Sequence, residues 1–223
     1  MEKFPFKSII TWNSVLVLSV FLCAFVIPVF SPSWGRTPAR IGFTLIFVSG
    51  VLCMEKRNRY ILYLSLAAFL MEWISVVLEW DFIADLSRAL NVLFFLIVIF
   101  SLIQQMATAT IVTPQVIMAS ISGYLLLGII YSLLIVAIIQ RDAEAFNIAR
   151  QGNGAVDANA NLSNSLYYGF VTLATLGYGD IIPLKPYTRS LATLITISGQ
   201  LYIATIIGIL IGKYAARKNP AEG

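Results

Sequence analysis

Histidine is absent from this sequence, and cysteine occurs only twice, at Cys23 and Cys53. No cluster of cysteine and acidic residues has the spacing of a transition-metal site, so we expect no such metal and no metal-dependent catalysis. Both cysteines lie within apolar stretches, where a free thiol behaves as a small hydrophobic side chain. We therefore predict two buried packing residues rather than a disulfide, and nothing in the residue inventory indicates an enzyme.

Charged residues are scarce as well. They account for 12% of the 223 residues, hydrophobic residues account for 59%, and the mean hydropathy is +0.85. Soluble domains carry about 25% charged residues, so an ordinary soluble domain is excluded. Six apolar stretches approach or exceed the length of a membrane span, and they occupy 10–30, 40–54, 59–79, 82–106, 112–140 and 187–213. The composition predicts an all-α membrane protein with six transmembrane helices.

The charges outside these stretches are unevenly distributed. If the N-terminus is cytoplasmic, eight lysine and arginine residues and three acidic residues fall on the cytoplasmic side. The opposite side receives a set of acidic residues: Asp81, Asp142, Glu144, Asp157 and Asp180. The positive-inside rule favours this orientation. We expect a multi-pass protein of the plasma membrane (the inner membrane in a bacterium), surrounded by lipids and with both termini cytoplasmic. The net charge of +4 then requires no nucleic-acid partner.

The region between the fifth and sixth apolar stretches has a different composition. A polar loop, 141–162, is followed by a helix-compatible stretch, Ser163 to Ala174, that is too short to cross a bilayer. We predict Asn161 or Ser163 as the N-cap of this pore helix, and N-glycosylation is the alternative role for Asn161. The returning segment comes next and reads Thr175-Leu176-Gly177-Tyr178-Gly179-Asp180. Non-helical backbone at membrane depth is tolerated only where it lines a cavity or is buried in protein.

Glycine occupies alternate positions of the returning segment, at Gly177 and Gly179. Because glycine adopts positive φ freely, this alternation can turn successive carbonyl groups toward one axis. Rings of such carbonyls, together with the Thr175 hydroxyl, can replace the hydration shell of an ion. The pore helix would direct the negative end of its dipole at the cavity below, which favours cations over anions.

The returning segment resembles the T-V-G-Y-G-D signature of potassium channels, with Leu176 in the valine position. The resemblance covers about 111–215, which includes the fifth apolar stretch, the pore loop and the sixth. It implies a potassium-selective pore built as a cyclic homotetramer, with K+ as the permeant ion and no cofactor. It also implies that the ion-coordinating residues are Thr175, Leu176, Gly177, Tyr178 and Gly179, with K+ bound at the first four.

Residues around the signature extend the resemblance. Tyr167 and Tyr168 stand where many family members have a Trp-Trp pair, and the resemblance implies a set of filter-supporting residues: Asp180, Tyr167, Tyr168 and Thr172. Two residues depart from the pattern. Ala174 replaces a common Thr or Ser, and Tyr167 replaces a Trp that commonly hydrogen-bonds the aspartate, so the stability of the filter is left open.

The last apolar stretch resembles the inner helix of small prokaryotic potassium-channel pores. Gly199 lies where the family often has a hinge glycine, and we predict a bend there. Ile203, Ile207 and Ile211 recur at four-residue spacing. The resemblance implies that they line the inner vestibule as hydrophobic rings, which can close a pore by dewetting.

Six helices with a pore loop between the last two match the layout of voltage-gated channels. We divide the chain into a four-helix peripheral domain, 1–110, and a pore domain, 111–223. The fourth apolar stretch carries one basic residue, Arg88, where a voltage sensor has one at every third position. One elementary charge contributes only about 2.3 kcal/mol per 100 mV, and steep gating needs three or four charges per subunit. We therefore expect no intrinsic voltage gating.

Acidic residues near Arg88 predict an ion pair within the membrane. Glu72 lies eight residues before Trp80, and Arg88 lies eight residues after it. If the third and fourth helices form a hairpin that turns near Trp80, both side chains reach a similar depth. We predict a static Glu72–Arg88 pair or a network shared with Glu79 and Asp85. The alternative is that each side chain reaches solvent by itself.

Three other functions are compatible with parts of the sequence. A weakly selective cation channel is the alternative within the channel class, and the intact Gly-Tyr-Gly argues against it. A potassium transporter subunit is another, although those proteins resemble four fused repeats with degenerate filters. The third is an accessory pore subunit that conducts poorly alone. No motif indicates the gating stimulus, so an unidentified regulatory subunit stays an open expectation.

Overall fold

The computed structural model describes residues 12–29, 37–53, 59–78, 81–150 and 158–218. Over these ranges the chain is helical, and its long elements are α1 (Trp12–Phe21), α2 (Thr37–Cys53), α3 (Arg59–Leu78), α4 (Asp81–Thr108), α5 (Pro114–Arg141), α6 (Ala158–Leu173) and α7 (Pro186–Lys218). A π-helical segment, Leu22–Val26, and a 3₁₀ turn, Ile27–Val29, extend α1, and a second 3₁₀ turn, Asn147–Arg150, lies between α5 and α6. The predicted all-α class is confirmed.

Among the described residues, three helical segments are long and apolar enough to cross a membrane: Phe82–Thr108, Pro114–Arg141 and Pro186–Ala215. Shorter apolar helices occupy Trp12–Val26, Arg40–Cys53 and Leu62–Ser75. These six segments overlap the six predicted stretches, but the three shorter ones have apolar parts below the roughly 20 residues that span a bilayer. The count of six transmembrane helices therefore stays a prediction.

Local sequence accounts for the limits of α5. The Thr113 side chain accepts a hydrogen bond from the Val116 N–H (3.4 Å), and Pro114 occupies the first turn, where its missing N–H is not needed. At the other end the Asp142 N–H donates to the Ile138 carbonyl oxygen (2.8 Å). The resulting 28-residue helix contacts α1, α4, α6 and α7, and so it links the pore region to the peripheral helices.

The helix α6, predicted as the pore helix, begins earlier than the sequence indicated. It starts at Ala158, so Asn161 and Ser163 lie inside the helix rather than before it, and the N-cap prediction for these two residues is wrong. Alanine, which occurs at positions 158 and 160, is the strongest helix former, so the end of the polar loop joins the helix. The helix ends at Leu173, one residue before the predicted end.

An aromatic cluster forms the centre of the peripheral helices. The Phe47 ring on α2 lies 5.1 Å from the Phe94 ring and 5.7 Å from the Phe95 ring on α4, measured between ring centroids. Tilted and offset ring pairs at such distances stabilise a core beyond the area they bury. Cys23 and Cys53 are free thiols buried beside this cluster, which confirms their predicted packing role.

Candidate functional site

The backbone leaves α6 through a tightened last turn. The Ala174 N–H donates to the Phe170 carbonyl oxygen (2.9 Å), and the Thr175 N–H donates to the Thr172 carbonyl oxygen (3.0 Å). The Leu176 N–H then reaches back to the Val171 carbonyl oxygen (2.9 Å). These bonds hold the start of the returning segment against the C-terminal end of α6, where the negative end of the helix dipole lies.

Backbone conformation alternates along the returning segment. Positive φ angles occur at Thr175 (60°), Gly177 (55°) and Gly179 (81°). Thr175 is the one non-glycine residue with positive φ within the described residues. A β-branched residue in this region is strained, and such strain concentrates at functional sites. Positive φ at Gly177 and Gly179 is the backbone conformation expected from the glycine spacing.

The segment presents an open face on the single chain. The side chains of Leu176 and Tyr178 are 58% and 68% exposed. A methyl group built on Gly177 or Gly179 would meet no atom within 4 Å. The backbone at these glycines is therefore constrained by its φ angles and not by crowding from its own chain.

Tyr167 on α6 supports the far end of the segment. Its hydroxyl donates a hydrogen bond to Oδ2 of Asp180 (2.6 Å). This bond lowers the pKa of Asp180 and raises the pKa of Tyr167 to about 12. Tyr167 thus makes the contact with the aspartate for which many potassium channels use tryptophan. Having tyrosine in place of that tryptophan does not remove the contact.

Tyr168 points to the opposite side of α6 and is buried. Its ring packs edge-on against Phe146 from the preceding loop, with centroids 5.2 Å apart and planes at 66°. The carbonyl oxygen of Thr172, one turn further along α6, accepts hydrogen bonds from the Thr175 N–H (3.0 Å) and the Thr196 hydroxyl (3.4 Å). Tyr168 therefore joins α6 to the loop that follows α5, and Thr172 joins α6 to the returning segment and to α7.

The loop after α5 holds contacts that sequence reasoning missed. The side chain of Asn147 is hydrogen-bonded to the backbone of Asp180 and Ile182, and the Tyr187 hydroxyl donates to Oδ2 of Asp142 (2.5 Å). The Tyr187 bond holds the pKa of Asp142 below its usual value. No local pattern in the polar loop distinguishes Asn147 or Asp142 from the other polar residues there, because their partners lie more than 30 positions away.

Gly199 lies where α7 crosses the end of α6. A methyl group at this position would lie 2.4 Å from the Leu173 carbonyl oxygen, so only glycine permits this approach. Close by, the Tyr131 hydroxyl on α5 donates to Oγ of Ser198 (2.7 Å). α7 continues as one helix through Gly199, and its role as a hinge stays a prediction. Ile203, Ile207 and Ile211 are exposed along one side of the same helix.

Arg88 and Glu72 each bind other residues and do not pair with one another. Arg88 pairs with Asp85 on its own helix, and Asp85 also binds the Arg141 guanidinium at the end of α5 (3.0 Å). Oε2 of Glu72 accepts hydrogen bonds from Ser87 (3.0 Å) and Asn91 (2.9 Å).

The prediction of a direct Glu72–Arg88 ion pair is therefore wrong. Asp85 does bind Arg88, as the alternative prediction of a shared network required. Ser87 and Asn91 are four residues apart and share the face of α4 toward Glu72, whereas Arg88 is rotated about 100° from Ser87. Glu79 lies outside the described residues.

Comparison with known proteins covers the region that contains the returning segment. A family model described as "Ion channel" matches residues 121–215, from within α5 through α6 and the returning segment to α7. A protein of Rhodopseudomonas palustris named "Putative potassium channel protein" is 30% identical over 73 residues, which are 33% of this chain. The chain spans no more than 18% of the length of that relative. Residues 121–215 thus match an ion-channel domain, and the match favours a channel over an enzyme.

Proposed function

We propose that the protein is a potassium-selective channel, with the returning segment as its selectivity filter. K+ would be held by oxygen atoms of four residues: Thr175, Leu176, Gly177 and Tyr178. The observation that carries the proposal is the positive φ at every second residue of the segment. Carbonyl groups turned to one side by this alternation can replace the water around K+ and pass it between adjacent sites. No cofactor or catalytic residue is needed for passive flux.

A complete ring of carbonyls requires several copies of the chain, and we infer a cyclic homotetramer. Closed symmetry is the ordinary state of homo-oligomers. The carbonyl groups of the returning segment would turn toward the axis. α7 also carries exposed apolar residues that suit contact with lipid and with neighbouring copies: Leu194, Ile197 and Leu201.

The inner part of α7 is the proposed gate. Four copies of Ile203, Ile207 and Ile211 would form stacked hydrophobic rings, which exclude water when the helices approach one another. Gly199 would be the point where α7 bends when the rings separate. Both assignments depend on α7 lining the axis in the tetramer.

The proposed gating does not use an intrinsic voltage sensor. Arg88 is bound to Asp85, which is itself bound to Arg141 on the neighbouring helix α5. To move through the membrane field, Arg88 would have to leave Asp85, or α4 would have to move with the pair and break the bond between Asp85 and Arg141. The peripheral helices are therefore proposed as a static or lipid-responsive support.

The reversal potential of purified protein in planar bilayers tests the proposal. With K+ on one side and Na+ on the other, we expect a reversal near the K+ equilibrium potential. Gly177→Ala should abolish this selectivity, because alanine at φ 55° is strained although it meets no atom. Gly208→Ala is the matched control, since Gly208 also has open space around it and lies in the regular helix α7.

The other outcomes separate the alternative functions. A reversal near zero with measurable current would contradict potassium selectivity and favour a weakly selective cation channel. Current that appears only when a second pore protein is present, with cross-linking that yields only heteromers, would favour an accessory pore subunit. Net K+ uptake that depends on another ion gradient would favour a transporter subunit.

A further inference from the structure

Asn147 contacts the backbone at the exit of the returning segment. Its Nδ2 donates a hydrogen bond to the Asp180 carbonyl oxygen (2.7 Å), and its Oδ1 accepts one from the Ile182 N–H (2.8 Å). Its own backbone N–H donates to the Ile182 carbonyl oxygen (3.2 Å). Three hydrogen bonds thus join one loop residue to the chain on both sides of Ile181.

The side-chain chemistry of asparagine suits this position. A carboxamide carries a donor and an acceptor on adjacent atoms, whereas a carboxylate only accepts and a methyl group does neither. Asparagine can therefore bridge a carbonyl and an N–H two residues apart in the same strand of chain. Ile181, the residue between them, is 7% exposed, so the bridged backbone is anchored in the core by its side chain.

The loop around Asn147 is itself fixed to the chain after the returning segment. Phe146 and Pro183 form an antiparallel bridge, and the Leu184 N–H donates to the Ala145 carbonyl oxygen (2.9 Å). Phe146 is buried against Tyr168 of α6. The loop that carries Asn147 is therefore held in place by its contacts with α6 and with the chain after the returning segment.

Asp180 is held at two separate points. Tyr167 of α6 binds its carboxylate, and Asn147 of the loop binds its carbonyl oxygen. The peptide next to Asp180 is that of Gly179, which has a φ of 81°. Asp180, at the end of the returning segment, is thus hydrogen-bonded to α6 on one side and to the loop on the other.

We propose that Asn147 is a positioning residue for the ion pathway, whose two side-chain hydrogen bonds fix the exit of the returning segment and maintain the spacing of its carbonyls. This inference rests on the proposed function. Carbonyl oxygens that have lost their ion repel one another. The anchor formed by the two side-chain hydrogen bonds of Asn147 therefore matters most when K+ is scarce. Loss of the anchor should let the segment widen, which admits Na+ and speeds the loss of conduction.

Three variants in reconstituted protein test this role. Asn147→Ala removes both side-chain bonds, Asn147→Asp keeps the acceptor for Ile182 but loses the donor to Asp180, and Glu144→Gln is the control. Glu144 lies in the same loop, is exposed, and pairs only with Lys185 at 3.6 Å among the described ion pairs. The measurements are the Na+/K+ permeability ratio, the decay of K+ current when K+ is lowered on the Asp180 side, and hydrogen exchange at the Ile182 amide.

We expect Asn147→Ala to speed both current decay and Ile182 exchange about tenfold, which equals about 1.4 kcal/mol or one net hydrogen bond. Asn147→Asp should speed the current decay while the Ile182 amide stays protected. Both variants should raise the Na+/K+ permeability ratio, and Glu144→Gln should change nothing. If the Asn147→Ala variant does not assemble, the test uses the measurements on Asn147→Asp, whose side chain has nearly the same shape as asparagine.

Two results would overturn the inference. Unchanged selectivity and current decay in both variants, with faster Ile182 exchange in Asn147→Ala, would reduce Asn147 to a structural contact outside the pathway. Unchanged Ile182 exchange in Asn147→Ala would show that the anchor does not exist. If the unmodified protein conducts without selecting K+, the proposed function fails, and Ile182 exchange still reports separately on the anchor.

Discussion

Lys213, near the C-terminal end of α7, donates a hydrogen bond from Nζ to the Met106 carbonyl oxygen at 2.6 Å, across 107 positions of sequence. The same ammonium group binds the carbonyl oxygens of Ala107 (2.9 Å) and Ala109. These carbonyls belong to the last turn of α4 and the residues after it, where a helix leaves acceptors without intrahelical donors. A lysine at such an end also opposes the negative end of the helix dipole. The end of the proposed gate helix is therefore tied to the peripheral helices.

Replacing Lys213 with methionine should destabilise the protein. Methionine keeps the chain length but leaves the end of α4 without its donor, and hydrogen bonds to charged groups contribute about 1.5–3 kcal/mol. We expect the apparent melting temperature of the detergent-solubilised protein to fall by several degrees, followed by circular dichroism. Lys213→Arg is the control, because it keeps the charge and the donors. Equal melting temperatures for the two variants would show that the contact adds no stability.

Gly199→Ala should act through packing at the end of α6. The added methyl group would lie 2.4 Å from the Leu173 carbonyl oxygen, so α6 and α7 must separate. Overpacking of this kind usually costs about 1–3 kcal/mol. We expect a lower yield of assembled protein by size-exclusion chromatography and a lower melting temperature, while Gly208→Ala should leave both unchanged because it meets no atom within 4 Å.

The same pair of variants distinguishes packing from bending. If Gly199→Ala assembles and melts like the unmodified protein but opens less often in bilayers, the close approach to Leu173 is unimportant and the hinge prediction is favoured. Loss of stability without a change in single-channel opening would favour packing alone.

The Tyr167–Asp180 bond predicts a defined pH window. The folded-state pKa of Asp180 is lowered, so its contribution is present above the usual aspartate pKa of about 3.9 and is lost as pH falls through the lowered value. The pKa of Tyr167 is raised to about 12, so its contribution is complete below the usual tyrosine pKa and is lost as pH rises through about 12. The bond should therefore be intact throughout the neutral range.

Tyr167→Phe should reproduce at neutral pH what acid does to the unmodified protein. The phenylalanine ring keeps the packing but cannot donate to Asp180. We expect faster decay of K+ current at pH 7 in this variant, and little further change when the Asp180 side is acidified. Current decay in the unmodified protein should speed up only as the pH falls below the usual aspartate pKa of about 3.9 and through the lowered pKa of Asp180. Equal decay rates for both proteins at pH 7 would contradict this account.

The sequence was the best guide to features that depend on a residue and its neighbours along the chain. The alternation of Gly177 and Gly179 predicted the alternating φ because glycine adopts positive φ without steric cost, and the α5–α6–α7 order followed from hydrophobic length. Thr175 was not expected to share the positive φ, since a β-branched residue does not adopt it unless its surroundings impose it. The last turn of α6, which binds the Thr175 and Leu176 amides, supplies that constraint.

Contacts between distant elements were harder to foresee. Equal spacing from Trp80 predicted the depth of Glu72 and Arg88 but contained no information on the rotation of α4 about its axis. A rotation of one residue exchanges Arg88 for Ser87 as the neighbour of Glu72. Asn147 and Lys213 reach partners 35 and 107 positions away, and only the folded chain brings these together.

Arg88→Gln should leave the voltage dependence of the channel unchanged. Arg88 is bound to Asp85, and Asp85 is shared with Arg141, so the charge is held rather than free to move. Even a fully mobile single charge would contribute only about 2.3 kcal/mol per 100 mV in each subunit. We expect a shallow conductance–voltage relation in bilayers for the unmodified protein and the same slope for the variant. A steep relation that flattens in Arg88→Gln would mean that this arginine moves through the field, and that the ion pairs with Asp85 belong to only one of two states.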